Sequence, residues 1–286
     1  MNNICKTLML GLPLCFSLYG CDDTDDNTNR VDSDYVATGD IYATIQVVAD
    51  EGDTIYAETQ LTKGVPPSYS GKIYVQLVNS DELWFSAGDN ISAIDLSDDF
   101  FGEFAQFPDT QDRFYQAKTT SERYGFLWDK VIINEYGTWY SAELPKKEQT
   151  EFTISLLRDH KTSAVNSMVK IPGDFQLIQP QSIESFSRST DDIVVEWNNL
   201  ESDTQVEVEA VTTCSDYSVE TYSQLFDTDL GSATITAGSL QDVSLVGDCT
   251  TTLNLRKIKI GQFDSKFIGG TINGYQIRRV SLVTSN

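Results

Sequence analysis

The stretch 41-IYATIQVVADEGDTIYAETQL-61 decides how the fold is read. Ile41, Ala43, Ile45, Val47 and Ala49 alternate with Tyr42, Thr44, Gln46 and Val48. A period of two puts one apolar row on a single face of a strand. Glu51, Gly52 and Asp53 then make a turn signal, and Ile55, Ala57, Thr59 and Leu61 resume the alternation. The pattern predicts a β-hairpin.

The same signal recurs on the C-terminal side. Ile73, Val75 and Leu77 continue it, followed by 83–86, 139–144, 152–157 and 167–171, each short and bounded by Gly, Pro, Asn or Asp. A second series follows Pro172 and Gly173, with strands expected at 175–178, 193–197, 206–214, 232–236, 242–246, 251–260 and 275–283. Serial strands without amphipathic helices between them indicate antiparallel sandwiches. The expected fold is all-β, with an N-terminal β-sandwich over 41–172 and an immunoglobulin-like β-sandwich over 173–286. Residues 98–124 are less regular, with Phe100, Phe101, Phe104, Phe107, Phe114 and Tyr115 among acidic residues, and read as a long loop or a short helix. Gly269, Gly270 and Gly274 read as turn glycines between strands, since no P-loop lysine and hydroxyl pair follows them.

Upstream of the hairpin the composition changes twice. From Asp22 to Asp40 there are seven aspartates and one arginine, a net of −6, with almost nothing apolar. Such a segment lacks the surface to bury, so 21–40 is expected to be a disordered tether. Asp23, Asp25, Asn27, Asn29 and Asp34 fall at calcium-ligand spacings, but Thr28 stands where the EF-hand loop needs glycine and Asp34 where it needs glutamate. Before it, Leu8 to Tyr19 form an apolar stretch interrupted by Gly11, Pro13 and Ser17, behind Lys6 and the amino terminus. This is a signal-peptide pattern over 1–20, far shorter than the roughly 20 apolar residues of a membrane span.

Leu18, Tyr19, Gly20 and Cys21 resemble the lipobox of bacterial lipoprotein precursors. The resemblance implies cleavage before Cys21 and a diacylglyceryl group on its thiol, against the plainer reading of an ordinary secretory signal. Tyr19 departs from the small residues usual at its position. In enteric bacteria aspartates after the lipidated cysteine favour retention in the inner membrane, which the resemblance would extend to Asp22 and Asp23. Elsewhere the outer membrane is the expected destination. The stretch Leu156, Leu157, Arg158, Ser163, Ala164, Ser167 and 171–175, ahead of a second sandwich, resembles uncharacterised envelope lipoproteins of Gram-negative bacteria.

With the signal removed and Cys21 acylated, Cys214 and Cys249 remain. An even pair in an exported chain reads as one disulfide, with free buried thiols as the alternative. Ile193, Val195 and Trp197 share a face, as do Val206, Val208, Ala210 and Cys214, and Cys249, Thr251, Leu253 and Leu255 are expected across the core from them. A disulfide beside a buried tryptophan resembles the immunoglobulin arrangement, although in antibodies the tryptophan lies between the cysteines.

Composition bounds the chemistry. With 40% hydrophobic and 22% charged residues in 286, the chain can bury one large or two ordinary cores. Its net charge of −23 disfavours nucleic acid and electrostatic adsorption to anionic lipid, and favours neutral or cationic partners. His160 is the only histidine and sits between Asp159 and Lys161 in an expected turn, and no serine lies in a Gly-x-Ser-x-Gly elbow. One histidine and two oxidised cysteines do not make a zinc shell. Glycan hydrolysis by paired carboxylates stays open because it needs only two acidic groups at the right separation. Glu135, Tyr136, Gly137, Thr138 and Trp139 resemble the aspartate box of sialidases, one residue short between glycine and tryptophan and without repetition. Trp84, Trp128 and Trp139 with Phe100, Phe101 and Tyr124 read either as core or as a recognition surface.

The sequence therefore points to an acidic lipid-anchored envelope protein that binds or scaffolds a protein or glycan through sandwich-tip loops, without a catalytic residue, metal site or cofactor. The alternatives are an envelope glycan hydrolase and a calcium-dependent adhesin.

Overall fold

Residues 30–69, 71–87, 90–96, 140–146, 150–215, 219–240 and 247–285 are described by a computed structural model. The deciding hairpin is β2 (Ile41–Ala49) and β3 (Thr54–Lys63), in register from Ile41↔Lys63 to Ala49↔Ile55. The Asp50 carboxylate accepts the Gly52 N–H at 2.8 Å and shapes the turn between them. Ile41, Ala43, Ile45, Val47 and Ala49 all point into one core, as the alternation requires.

That core is closed by two layers. One contains β2, β3 and β7 (Tyr140–Pro145); the other contains β5 (Glu82–Ala87), β8 (Glu151–Leu157) and β9 (Ala164–Lys170). Strand β6 (Asn90–Leu96) passes from one layer to the other, pairing β5 through Asn90–Ile94 and β7 through Asp95 and Leu96. Short β1 (Arg30–Asp32) and β4 (Tyr74–Gln76) pair in parallel beside the end of β3. The Tyr140 hydroxyl donates to Val75 O and accepts the Leu77 N–H. Burial pushes its pKa up to about 12 against the pull of that N–H.

The C-terminal unit is an immunoglobulin-like sandwich. One sheet is β10 (Leu177–Gln179), β12 (Ile193–Trp197) and β15 (Ser232–Ile235). The other runs β14 (Val219–Phe226), β13 (Gln205–Cys214), β16 (Cys249–Ile260) and β17 (Gly269–Ser285). After the cis Gln179–Pro180 bond the chain changes sheets, and β11 (Ser185–Ser187) pairs with β17 in parallel.

Strand β17 joins the two units. Its first half, Gly269–Gln276, pairs in parallel with β2 of the N-terminal unit, and from Asn273 to Thr284 it pairs with β16. Ile272 belongs to the first core and Leu282 to the second, and both lie on the same face of β17 because they are an even number of residues apart. Both cores thus sit on one face of a single long sheet. The opposite face carries a separate cluster of Val48, Ile258, Tyr275 and Ile277, with Tyr56 against it.

Several expectations change. Residues 30–40 are not tether: β1 and two 3-10 turns at Ser33–Tyr35 and Thr38–Asp40 build them into the fold, with Ser33, Val36 and Thr38 buried. The boundary at 172/173 marks the linker only, since Phe267 and Ile272 return to the first core. Gly269, Gly270 and Gly274 lie inside β17, not in a turn. Cys249, Leu253 and Leu255 are cross-strand neighbours of Cys214, Ala210 and Val208 in one sheet rather than facing them across a core. Strand β14 was not expected, because its half-exposed edge lacks a buried alternating row.

Candidate functional site

Three places concentrate polar chemistry: a seam between the cores, and the two ends of the joined sheet. The seam follows from the rows that face the cores. Along β16 that row reads Leu253, Leu255, Lys257, Lys259, and along β17 it reads Leu282, Val280, Arg278, Gln276, Gly274, Ile272. Apolar side chains give way to charge and then to glycine where the linker crosses the sheet. A Cβ on Gly274 would collide with the Lys170 carbonyl, and one on Gly261 with the Met168 carbonyl. Glycine is required there by close backbone approach, not by turn geometry.

The seam cations are each matched. Lys257 is fully buried, 2.7 Å from the equally buried Asp229, and donates to the carbonyls of Asn198 and Asn199 while lying over the Phe175 ring. Asp229 also accepts the Trp197 indole N–H at 2.6 Å. Arg278 pairs with Asp174 and donates to the Phe175 carbonyl. Lys259 bridges Glu201 at 2.9 Å and Asp203 at 3.5 Å. Burial pushes the Glu201 carboxyl up, but the Lys259 ammonium, the Gly173 N–H and the Thr204 hydroxyl reverse this and leave its pKa below the ordinary value. For Lys259, burial pulls down and the two carboxylates prevail, raising it. A lowered carboxyl is a poor proton donor, so this constellation clamps the linker and is unsuited to acid catalysis.

At the near end, where the chain enters, Arg158 is the hub. Its side chain is fully buried, its Nε lies 2.6 Å from Asp81 and its Nη2 donates to Ser33 O at 2.7 Å and Val36 O at 3.2 Å. Lys161 adds bonds to the carbonyls of Ser33, Asp34 and Val36. Together they hold the 30–40 segment against the first core. A guanidinium suits this task because its donors spread over several carbonyls at once.

At the far end Cys214 and Cys249 form a disulfide between directly opposed residues of neighbouring strands, with Cα atoms 4.1 Å apart. They form a buried cluster apart from the core that holds Trp197, so the tryptophan is not beside the disulfide as expected. A hydroxyl ladder Thr212, Thr251, Thr284 runs beside them with spacings of 2.9 Å, and Arg188 donates to the carbonyls of Thr284 and Gly247. Burial lowers the Arg188 pKa, partly opposed by Asp248. The loops fixed here carry Asp191, Asp192, Asp248 and Ser239; Asp191 accepts the Ser187 N–H and Asp192 the Ala237 N–H.

Of the residues singled out in the sequence, Cys214 and Cys249 are brought together, whereas Cys21, Asp22, Asp23, Trp128, Trp139, the 98–124 stretch, the Glu135–Trp139 motif and the strand at 242–246 lie outside the described residues. His160 is 90% exposed with Asp159 at 3.0 Å, and Trp84 is half-buried and donates to Glu82. Among the described residues no group of three or more His, Cys, Asp or Glu is placed to hold a metal, and no helix is long and apolar enough to cross a membrane. The seam was missed in the sequence, although Lys257, Lys259 and Arg278 interrupting apolar rows were a legible signal. A groove of about 650 Å³ also opens along β17 between the ends of β2 and β11, lined by Glu51, Gln176, Pro180, Arg278 and Ser281.

No family model and no curated protein sequence matches the chain. Among solved structures, the FN1-FN3 domains of chicken CNTN1 are similar at 8% identity over 87% of this chain and 66% of that one, with a TM-score of 0.22. That likeness is too slight to carry an argument, and the fold rests on the strand topology itself.

Proposed function

We propose that this is a lipid-anchored cell-envelope protein that acts by binding or scaffolding, held through an acylated Cys21 and presenting the far-end loops of its second sandwich to an envelope partner. The observation that carries the reading is β17, shared by both sandwiches. At about 3.3 Å per residue its 17 residues span roughly 55 Å. A strand hydrogen-bonded into both units, with ion pairs clamping the linker beside it, makes a stiff spacer. Its far end is stapled by the disulfide, so the loops there are displayed on a fixed frame. The seam carboxylates are held in ion pairs, which suits a structural role.

Asp22 and Asp23 assign it to the inner membrane, facing the periplasm, under the enteric rule, and to the outer membrane otherwise. A protein partner with a neutral or cationic surface fits the acidic loops. The test is chemical cross-linking in intact host cells, followed by capture and mass spectrometry. One reproducible partner that is lost when Asp191 and Asp192 are changed to Asn is the expected result. Recovery of abundant neighbours alone would overturn the scaffold reading and move glycan binding or hydrolysis forward. In parallel, Cys21→Ser should release the protein from the membrane fraction.

A further inference from the structure

The place where the chain enters the fold orients the molecule. Strand β1 begins at Arg30, paired with Tyr74, which in turn pairs with Thr62 at the end of β3. That end of the hairpin is marked by Ile41↔Lys63, with the Ile268 N–H bonded to Ile41 O and the Gly64 N–H to Asp40 O. The other end of β2, Ala49, pairs with Gln276 at the seam, beyond which the second sandwich starts. The chain therefore enters at the end of the first sandwich farthest from the second.

The Arg158 and Lys161 bonds shorten the leash. Only Asp22 to Asn29 separate Cys21 from the first strand, and at 3.3–3.6 Å per residue the link from Cys21 to Arg30 reaches at most about 30 Å. That is about half the rise of β17. The near end also exposes Tyr35 and Tyr69, 78% and 61% accessible, with Ile268, and there the exposed lysines Lys63 and Lys266 are matched by the exposed carboxylates of Asp34 and Asp40. Tyrosine side chains suit the headgroup level, where an apolar ring and a wet hydroxyl are both satisfied. The far end is acidic at Asp191, Asp192 and Asp248, which disfavours its approach to anionic headgroups.

We infer that the end face bearing Tyr35, Tyr69 and Ile268 rests on the bilayer surface and that the second sandwich stands away from it. The inference rests on lipidation of Cys21. A loosely tethered body samples many orientations; a short leash and a docking face select one, and place the stapled loops roughly 50 Å or more from the headgroups.

The experiment uses the lipidated full chain in phosphatidylethanolamine/phosphatidylglycerol vesicles with a nitroxide-headgroup quencher. A fluorophore is placed through Ser68→Cys at the near end or Ser239→Cys at the far end, both exposed positions. The expected result is several-fold stronger quenching at 68 than at 239. Equal quenching means the body lies flat or tumbles, and stronger quenching at 239 means it is inverted; either overturns the orientation while co-flotation with vesicles upholds the anchor. Loss of co-flotation overturns the anchor and the orientation together. Tyr35→Ser with Tyr69→Ser should reduce the quenching at 68 without reducing co-flotation, and unchanged quenching would remove the docking face from the account.

Discussion

The two sandwiches close their outer ends by different means. The first uses one buried guanidinium that reads backbone carbonyls from a segment more than a hundred residues away in sequence, and the second uses a covalent bond between adjacent strands. The guanidinium acts only in the folded state and leaves an uncompensated carboxylate if it is lost. The disulfide acts mainly on the unfolded chain and strands no charge. The largest effect should therefore come from Arg158→Ala, which leaves Asp81 buried without its cation and the Ser33 and Val36 carbonyls without a donor. A loss of about 3–5 kcal/mol is expected by urea unfolding. Arg158→Lys should recover little, since one ammonium cannot replace the fork, and full recovery would show that charge alone matters.

Reduction of the far end should cost less and stay local. The loop closed by Cys214 and Cys249, separated by 35 in sequence, is worth about 4 kcal/mol in the chain-entropy account, with measured cases nearer 2–4 kcal/mol. In the Cys214→Ala/Cys249→Ala protein, hydrogen exchange should accelerate around Thr212, Thr251 and Thr284 while β2 and β3 keep their protection. Uniform acceleration would mean that the shared strand transmits the damage, and the ends would then not be independent.

Between the ends lies the element that makes the comparison possible. Gly274 lets the linker backbone pass over β17, and Gly274→Ala forces the Lys170 carbonyl and Ile171 outward. Overpacking of this kind costs about 1–3 kcal/mol. The stronger signature is cooperativity: on heating, loss of the two cores should be more widely separated in the variant than in the native protein. A single shifted transition in the variant would show that the β16–β17 pairing alone couples the cores.

How much of this was legible depends on the range of the signal. The hairpin 41–61 was readable because period-two alternation is local, and the disulfide because, of five cysteines, the expected cleavage and acylation leave a single pair in a chain read as exported. Arg30 to Asp40 was misread because its order comes from Arg158 and Lys161, and nothing within the segment announces a donor so far along the chain. Gly270 and Gly274 suggested a turn for the same reason, since close approach of a distant backbone and a tight turn select the same residue, while a Cβ on Gly269 would meet only the Tyr42 ring. The length of β17 was hidden because its core-facing row changes from glycine to charge to leucine as it passes two cores. The resemblance of Leu18 to Cys21 to a lipobox rests on a linear pattern alone and is left to the Cys21→Ser test.

The smallest effect tests whether the seam holds by charge. Glu201 has a lowered pKa, so its stabilising contribution is present above the ordinary value of 4.5 and is lost as pH falls through the folded value below that. Lys259 has a raised pKa, so its contribution is present below 10.5 and is lost as pH rises through the higher folded value. Between those limits the pair is fully formed and the difference between native protein and Glu201→Gln should be flat, at about 1 kcal/mol for a partly exposed pair. Glutamine has one carbonyl oxygen, so it can keep the Gly173 N–H, which reaches Oε1, or the Thr204 hydroxyl, which reaches Oε2, and the substitution removes the charge together with one hydrogen bond. The difference should shrink toward zero in acid, where the native Glu201 is itself protonated, and again in strong alkali as Lys259 loses its proton. Urea midpoints across pH 3–8 measure the acid limb, and 0.5 M salt at pH 7 should shrink the difference in part. A difference that persists unchanged into acid would assign the seam to hydrogen-bond geometry at Gly173, and the linker would then be clamped in both sandwiches by backbone recognition, as Arg158 clamps the near end.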